Sequence, residues 1–325
     1  LIDTIYFGGG TPSLLPSHAT AQILATIKKY FNLSAQIEIT LEANPDDITR
    51  EKLISLKSMG INRLSIGVQS FVNEDLIWMN RAHRSEAAVQ AIELAKAVGI
   101  HNISIDLIYG IPTLTNEKWI QNIDKAVALE VQHLSCYALT VEPKTPLNAL
   151  ILKGEKEDID TAKQAVHFEL LTKHATHAGY EHYELSNLAL PGYRSKHNTS
   201  YWQQKKYLGI GPSAHSFTGS SRQWNIANNA LYISSIEKGI VPFESERLSL
   251  ATQYNEYIMT SLRTIEGCSY EYLHERFGDN TVNRTKKIAA HYINQGQLME
   301  QALFLIATDQ GKFFLDGIAA DFFEV

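Results

Sequence analysis

Strand-like and helix-like segments alternate along residues 1–186, and this alternation constrains the fold more than any other feature of the sequence. Runs rich in β-branched and aromatic residues recur at 2–7, 37–43, 63–69, 102–110, 133–140 and 180–186. Amphipathic patterns separate them at 17–31, 46–60, 85–98, 116–129 and 158–178. A step of about 30 residues from strand to strand predicts βαβ units and a parallel sheet. Periodicity leaves open whether the sheet is doubly wound or closes as a complete or partial barrel.

The rhythm of the sequence changes beyond this region. Residues 187–245 are rich in Asn, Ser, Gly and aromatic side chains, so we expect a loop-rich connecting segment there. Residues 246–325 carry three helical patterns, followed by an expected hairpin that turns at 309–311. The sequence therefore predicts an α/β domain over 1–186 and a small α+β, winged-helix-like domain at the C-terminal end.

Charge and composition exclude several classes of partner. The net charge is −6 and the basic residues form no run, so nucleic acid is not expected as a partner. No apolar run reaches the roughly 20 residues that span a bilayer, so no membrane anchor is expected. The two cysteines, Cys136 and Cys268, are too few for a disulfide framework, which indicates a reducing, cytoplasmic compartment.

Polar residues stand at the carboxyl ends of the predicted strands. The first strand is followed by Gly8-Gly9-Gly10-Thr11, Glu42 and Gln69 end the second and third, and Asp106 lies in the fourth. Because the loops at this edge of a parallel sheet converge, these residues are expected to surround one cavity. A single carboxylate there has an equally good explanation as a helix cap or a satisfied buried group. Their recurrence at one edge favours a ligand site.

The glycine segment indicates the kind of ligand. GGGTP is not a Walker loop, because no Gly-Lys-Ser/Thr follows, and it lacks the dinucleotide-binding pattern. A bare backbone in strand-like geometry can instead pair with the amino and carboxylate groups of an amino acid. Glu42 or Asp106 can accept from ribose hydroxyls or an ammonium group, and Arg81 can bind a carboxylate. S-adenosylmethionine (SAM), a nucleoside joined to an amino acid, satisfies these groups together.

Longer motifs now become recognisable. YFGGGTPSLL, EANPDDIT, GINRLSIGVQSF, NRAHR and IDLIYGIP, in this order, resemble the radical SAM enzymes related to oxygen-independent coproporphyrinogen III oxidase. YRSKHNTSYW (193–202) and YLGIGPSAHSF (207–217) are more similar to the HemW-type haem-chaperone branch of that family. The resemblance implies a partial (β/α) barrel of the radical SAM type, followed by a small C-terminal domain.

The resemblance also implies cofactors and the residues that contact them. It places SAM contacts at Gly9, Gly10, Thr11, Glu42, Gln69, Arg81 and Asp106. It further implies a [4Fe-4S] cluster in the intact protein, held by three cysteines spaced C-x-x-x-C-x-x-C. That motif and the first barrel strand are expected upstream of Leu1, so the chain itself is expected to provide no metal ligand.

The family resemblance leaves two functions open. In a haem-binding chaperone that passes haem to a receiving protein, His197 of HNTSYW (197–202) would ligate the iron and its aromatic neighbours would pack on the macrocycle. His215 is a second candidate for a haem contact. The alternative is oxygen-independent coproporphyrinogen III oxidase, a radical SAM oxidative decarboxylase of porphyrin biosynthesis. His197 as a structural hydrogen-bonding residue is the competing interpretation of that motif.

A third hypothesis comes from another class of protein. A barrel that uses no cofactor would bind a phosphorylated metabolite at glycines near its last strands. Gly209 and Gly211 are compatible with such a site, whereas Glu42, Gln69 and Asp106 argue against a strongly anionic ligand.

Overall fold

Seven strands of the first part of the chain form one curled sheet in a computed structural model that describes residues 1–324. The strands are β1 (Ile2–Phe7), β2 (Leu33–Ala43), β3 (Arg63–Gln69), β4 (Asn102–Tyr109), β5 (His133–Ala138), β6 (Glu181–Glu184) and β7 (Asn187–Ala189). Their order is β1-β2-β3-β4-β5-β7-β6. The first five run parallel, while β7 pairs antiparallel with both β5 and β6. This arrangement confirms the partial barrel, with an antiparallel hairpin at one edge.

Helices connect the strands and cover the outer face of the sheet. They are α1 (Ser17–Tyr30), α2 (Arg50–Met59), α3 (Asn73–Trp78), α4 (Ser85–Ala97), α5 (Asn116–Ala128), α6 (Pro146–Leu152) and α7 (Thr161–His177). The next helix, α8 (Lys196–Trp202), follows the last strand of the sheet, and its residue His197 contacts β1. Local signals set the ends of α2: the Thr49 hydroxyl accepts from the Lys52 N–H, and Gly60 takes a left-handed φ of 103°. The five helices predicted over residues 1–186 are observed with ends within four residues of the predicted ones, whereas α3, α6 and α8 were not predicted.

The second compact unit begins at Asn198, whereas the first covers Leu1–His197. Its elements are β8 (His215–Phe217), β9 (Ser221–Asn225), α9 (Asn229–Glu237), β10 (Phe243–Arg247), α10 (Leu250–Ser261), β11 (Cys268–Ser269), α11 (Tyr270–Phe277), α12 (Asp279–Asn294), β12 (Leu298–Gln301), β13 (Phe304–Ala307), α13 (Asp309–Lys312) and α14 (Leu315–Asp321). Two three-stranded sheets have the orders β10-β9-β8 and β11-β13-β12. The segment 187–245 thus has more regular structure than its composition indicated, while the predicted domain boundaries stay predictions.

The predicted turn of the C-terminal hairpin at 309–311 is wrong. Gln301 pairs with Phe304, so the chain reverses between these two residues, before the predicted position. Ala302, within this turn, adopts a left-handed φ of 53°. Residues 309–311 instead begin α13, because the Thr308 hydroxyl accepts from the Gly311 N–H and caps that helix. A glycine in a polar stretch is typical of a turn, but here the Gly311 N–H donates to the Thr308 hydroxyl that caps a helix.

Among the residues described, no helix is both long and apolar enough to cross a bilayer.

Candidate functional site

The inner face of the curled sheet is polar. Side chains alternate between the two faces of a strand, so every second residue shares a face. The residues of this inner face on β2 to β5 are Glu38, Thr40, Glu42, Arg63, Ser65, Asn102, Ser104, Asp106, His133 and Ser135. Sequence reasoning selected only Glu42 and Asp106 from this set. The missed signal was the strict polar–apolar alternation in IEITLEA, RLSIG, NISID and HLSCY.

Glu42 receives two hydrogen bonds at the carboxyl end of β2. Its Oε1 accepts from the Tyr6 hydroxyl at 2.6 Å, and its Oε2 accepts from the Gly9 N–H at 3.2 Å. Burial, followed by the negative charge of Glu42, raises the pKa of Tyr6 well above its usual range. Tyr6 therefore stays protonated and holds the carboxylate in place. Each carboxylate oxygen keeps a further lone pair for a ligand.

Asp106 lies beside Glu42 on the inner face and titrates abnormally. The Ser65 hydroxyl donates to its Oδ1 at 3.4 Å. Removal from solvent, together with the charge of Glu42, raises the pKa of Asp106 to about 7. Near neutral pH this carboxyl group is present in both protonation states. A ligand ammonium or hydroxyl group that donates to Asp106 would favour the ionised form.

The glycine segment is not strand-like as expected. Gly9 and Gly10 take φ values of 79° and 67°, in the left-handed region that glycine tolerates best. Both are exposed, and a Cβ on either would meet no atom of residues 1–324 within 4 Å. The Gly9 N–H, predicted to serve the ligand, already donates to Glu42. Thr11 follows half-buried at the start of a 3-10 turn over Pro12–Leu14.

Gln69 and Arg81 meet at the end of β3. Gln69 has a φ of 67°, and the register with β4 shifts there. A Cβ built on Gly67 would lie 2.9 Å from Gln69 Nε2, 3.6 Å from Arg81 Nη2 and 3.7 Å from Asn44 Oδ1. These three polar side chains therefore converge above a residue that lacks one. Left-handed backbone at a non-glycine residue is a strained conformation that recurs at binding sites.

The Arg81 guanidinium group has a hydrogen-bond donor that is available to a ligand. Its Nη2 donates to Asn44 Oδ1 at 2.9 Å, while its buried Nε has no hydrogen-bond partner among residues 1–324. Buried donors without partners are rare in folded proteins, and a ligand acceptor is one explanation for them. A carboxylate is the acceptor that a guanidinium group binds best. The donors and acceptors of this site therefore fit the amino-acid and ribose groups of SAM.

The residues present do not fit an iron–sulfur cluster. Within the part of the chain that the structure describes, no three His, Cys, Asp or Glu residues are grouped to hold a metal ion. Cys136 is buried on β5 and Cys268 is buried in the second unit. Burial raises the pKa of both thiols, to about 12 for Cys268, so neither is a ready thiolate ligand.

His197 lies against β1, next to Tyr6. Its Nδ1 is 2.8 Å from the Thr4 hydroxyl, and its ring stacks on that of Tyr6 with centroids 4.7 Å apart and planes inclined by 19°. Its backbone N–H donates to Glu38 at 3.0 Å. Burial lowers the pKa of His197 to about 4, so the imidazole is neutral at physiological pH. The structure thus brings the haem candidate into the same inner face as Glu42.

Residues of the second unit that sequence analysis selected have their own neighbours. Tyr201 packs edge-on against Tyr207 at 4.8 Å, and Arg263 lies 5.6 Å from the centre of the Trp202 ring. His215 is exposed on β8, 6.3 Å from the Trp224 ring. A Cβ on Gly209 would lie 2.1 Å from the His215 carbonyl oxygen, so close backbone packing explains that glycine without a phosphate.

The fold and the site first define a class. Residues 1–126 match the Radical SAM superfamily. The structure superposes with a TM-score of 0.83 on coproporphyrinogen III oxidase (HemN) from Escherichia coli, at 22% identity, covering 98% of this chain and 77% of that one. At this identity the likeness concerns the fold alone.

Relatives in sequence narrow the class. The chain is 33% identical to the heme chaperone HemW of Bacillus subtilis over 96% of its own length and 83% of that protein. It is 32% identical to the heme chaperone HemW of Lactococcus lactis, covering 98% of this chain and 86% of the relative. The chain therefore belongs to the HemW family of radical SAM proteins.

Proposed function

We propose that this chain is a HemW-like protein that binds SAM on the inner face of its sheet and acts as a haem-binding chaperone. Its intact form would carry a [4Fe-4S] cluster. The observation that carries the SAM assignment is the convergence of Glu42, Asp106, Gln69 and the unpartnered Arg81 Nε at one edge of the sheet. Family membership carries the haem assignment. A haem-receiving protein, in the cytoplasm, is the partner that this function requires.

The residues of the site divide the work of binding SAM. Gly9 and Gly10 leave their backbone open to close approach, while Glu42 and Asp106 accept from ammonium or hydroxyl groups. Arg81 donates to the carboxylate and Gln69 offers one donor and one acceptor. SAM bound to a cluster supplies one-electron chemistry in this superfamily. Since this sequence lacks the cluster cysteines, binding is the step we assign to its residues.

His197 is the proposed haem ligand. Only a neutral imidazole can ligate iron, and burial keeps His197 neutral. The Thr4 hydroxyl holds Nδ1, and such a second partner sets the tautomer and orientation of a metal-binding histidine. In this proposal the iron would be bound by Nε2, the ring nitrogen that does not contact Thr4.

A haem titration tests this assignment. Mixing the protein with haemin is expected to shift the Soret band, and His197→Ala is expected to lose most of the shift. His101→Ala, an exposed histidine of the same unit, is the matched control and should retain the full shift. Circular dichroism establishes that both variants are folded. An unchanged spectrum in folded His197→Ala removes His197 as the ligand.

Calorimetry tests the SAM site. Glu42→Gln and Asp106→Asn are each expected to weaken SAM binding at least several-fold, because each replaces a carboxyl acceptor with an amide. Thr26→Ala, an exposed residue of α1, is the control. Protoporphyrinogen formation from coproporphyrinogen III by the intact protein under anaerobic conditions would instead favour the alternative function, an oxidative decarboxylase. The likeness in fold to coproporphyrinogen III oxidase supports that alternative.

A further inference from the structure

Tyr6 contacts both proposed binding residues at once. Its hydroxyl donates to Glu42 Oε1 at 2.6 Å, and its ring stacks on His197 at 4.7 Å. Tyr6 therefore contacts the proposed SAM site through its hydroxyl group and the proposed haem ligand through the face of its ring. Sequence motifs did not single out this residue.

The Tyr6 ring and the Glu42 carboxylate both lie close to the backbone of Gly8. A Cβ on Gly8 would lie only 2.6 Å from Tyr6 Cε1 and 3.1 Å from Glu42 Oε1. Glycine is thus the residue type that, at position 8, leaves space for the Tyr6 ring to reach the Glu42 carboxylate. A shift of Glu42 on ligand binding would reach the Tyr6 ring through their 2.6 Å hydrogen bond.

His197 is held on its other sides. Thr4 contacts its Nδ1 and Glu38 accepts from its backbone N–H, so the ring has a defined seat on β1. Stacked rings prefer offset geometry at centroid distances of about 4.5–7 Å, and a displaced Tyr6 would change this contact. Iron ligation needs a correctly oriented imidazole, so the position of Tyr6 bears on haem affinity.

We propose that Tyr6 couples the two sites, so that SAM at Glu42 and haem at His197 strengthen each other's binding. The coupling rests on the proposed function. SAM fixes Glu42, Glu42 fixes the Tyr6 hydroxyl, and the fixed ring orients His197 for the iron. Because binding linkage is reciprocal, haem strengthens SAM binding by the same factor.

Haem titrations with and without saturating SAM test the coupling. SAM is expected to tighten haem binding about fivefold or more, the usual lower range of coupling between sites. Tyr6→Phe keeps the ring but loses the hydroxyl, so the ratio of the two haem affinities should fall to about one. Tyr180→Phe is the control, because the Tyr180 hydroxyl bonds to the Val131 carbonyl elsewhere in the same unit. A ratio unchanged in folded Tyr6→Phe overturns the proposal.

A double-mutant cycle tests the same link without SAM. Glu42→Gln should change haem affinity when residue 6 is Tyr, and should have no effect in the Tyr6→Phe background. Equal effects in both backgrounds overturn the role of Tyr6. Loss of SAM or haem binding in the wild-type protein would contradict the proposed function itself. Two ligands that bind with no mutual influence would overturn the coupling alone.

Discussion

The two faces of the seven-stranded sheet are built from opposite chemistry. The outer face is apolar: Leu64, Ile66, Ile103 and Ile105 are fully buried beneath the helices. On the inner face, the adjacent positions of the same strands carry hydroxyl, carboxyl, guanidinium and imidazole groups. The same strands thus present an apolar face to the helices and a polar face to the proposed ligand site.

The difference between the faces teaches where stability and function reside. Apolar burial has no preferred direction, so each outer side chain contributes roughly in proportion to its area. Hydrogen bonds on the inner face have partners fixed in distance and angle. His133, for example, contacts Ser104 through Nδ1 and Tyr183 through Nε2, both at 2.7 Å. Stability is therefore distributed over the outer face, while the properties of inner-face groups depend on one another.

The largest effect is expected from the outer face. Ile105→Ala removes a fully buried side chain and leaves a cavity, which should lower the free energy of unfolding by about 2–5 kcal/mol. Urea denaturation measures the change. Ile54→Ala on α2, about half exposed, is the matched control and should stay within about 0.5 kcal/mol. Similar losses in both variants would contradict the assignment of the outer face as the core.

A smaller loss of stability is expected when a polar group is removed from the inner face. Ser104→Ala deletes one hydroxyl, leaving His133 Nδ1 and Ser135 Oγ without this partner, and should cost about 1–3 kcal/mol. Its neighbour Ile103→Val deletes one methyl group from the outer face at a cost of about 0.5–1.5 kcal/mol. Thermal or urea unfolding of the pair compares the faces on one strand. A neutral Ser104→Ala would mean that the polar network contributes nothing to stability.

The smallest effect concerns the pH dependence of Asp106. Its pKa is raised from 3.8 to about 7 in the folded state, so the folded protein binds the proton more tightly than the unfolded chain. This group's contribution to stability is full below about pH 4 and is lost as pH rises through 7. The residue is partly exposed, so screening reduces the effect.

Asp106→Asn, which carries no titratable group, tests this slope. Urea unfolding of both proteins from pH 4 to pH 8 should show wild-type stability declining relative to the variant. A constant difference across this range would contradict a raised pKa for Asp106.

Much of the fold was predictable because its signals are local. Strands β1 and β3 and helices α4 and α5 lie where their patterns of apolar residues placed them. Glu42 and Asp106 were found because the ends of parallel strands are known to converge. The C-terminal hairpin was misplaced because a glycine N–H that caps a helix resembles, in sequence, a glycine that makes a turn.

The contacts within the site were not predictable from any local pattern. Thr4 and His197 meet across 193 positions of sequence, and Tyr6 reaches Glu42 across 36. Sequence by itself determined which residues are polar, which strands they lie on and which face they share, because alternation is a property of neighbouring residues. Tertiary structure alone decided that Tyr6 lies between Glu42 and His197 and that Asp106 titrates near pH 7. Both results depend on solvent removal and on charges that the curled sheet brings together from distant positions.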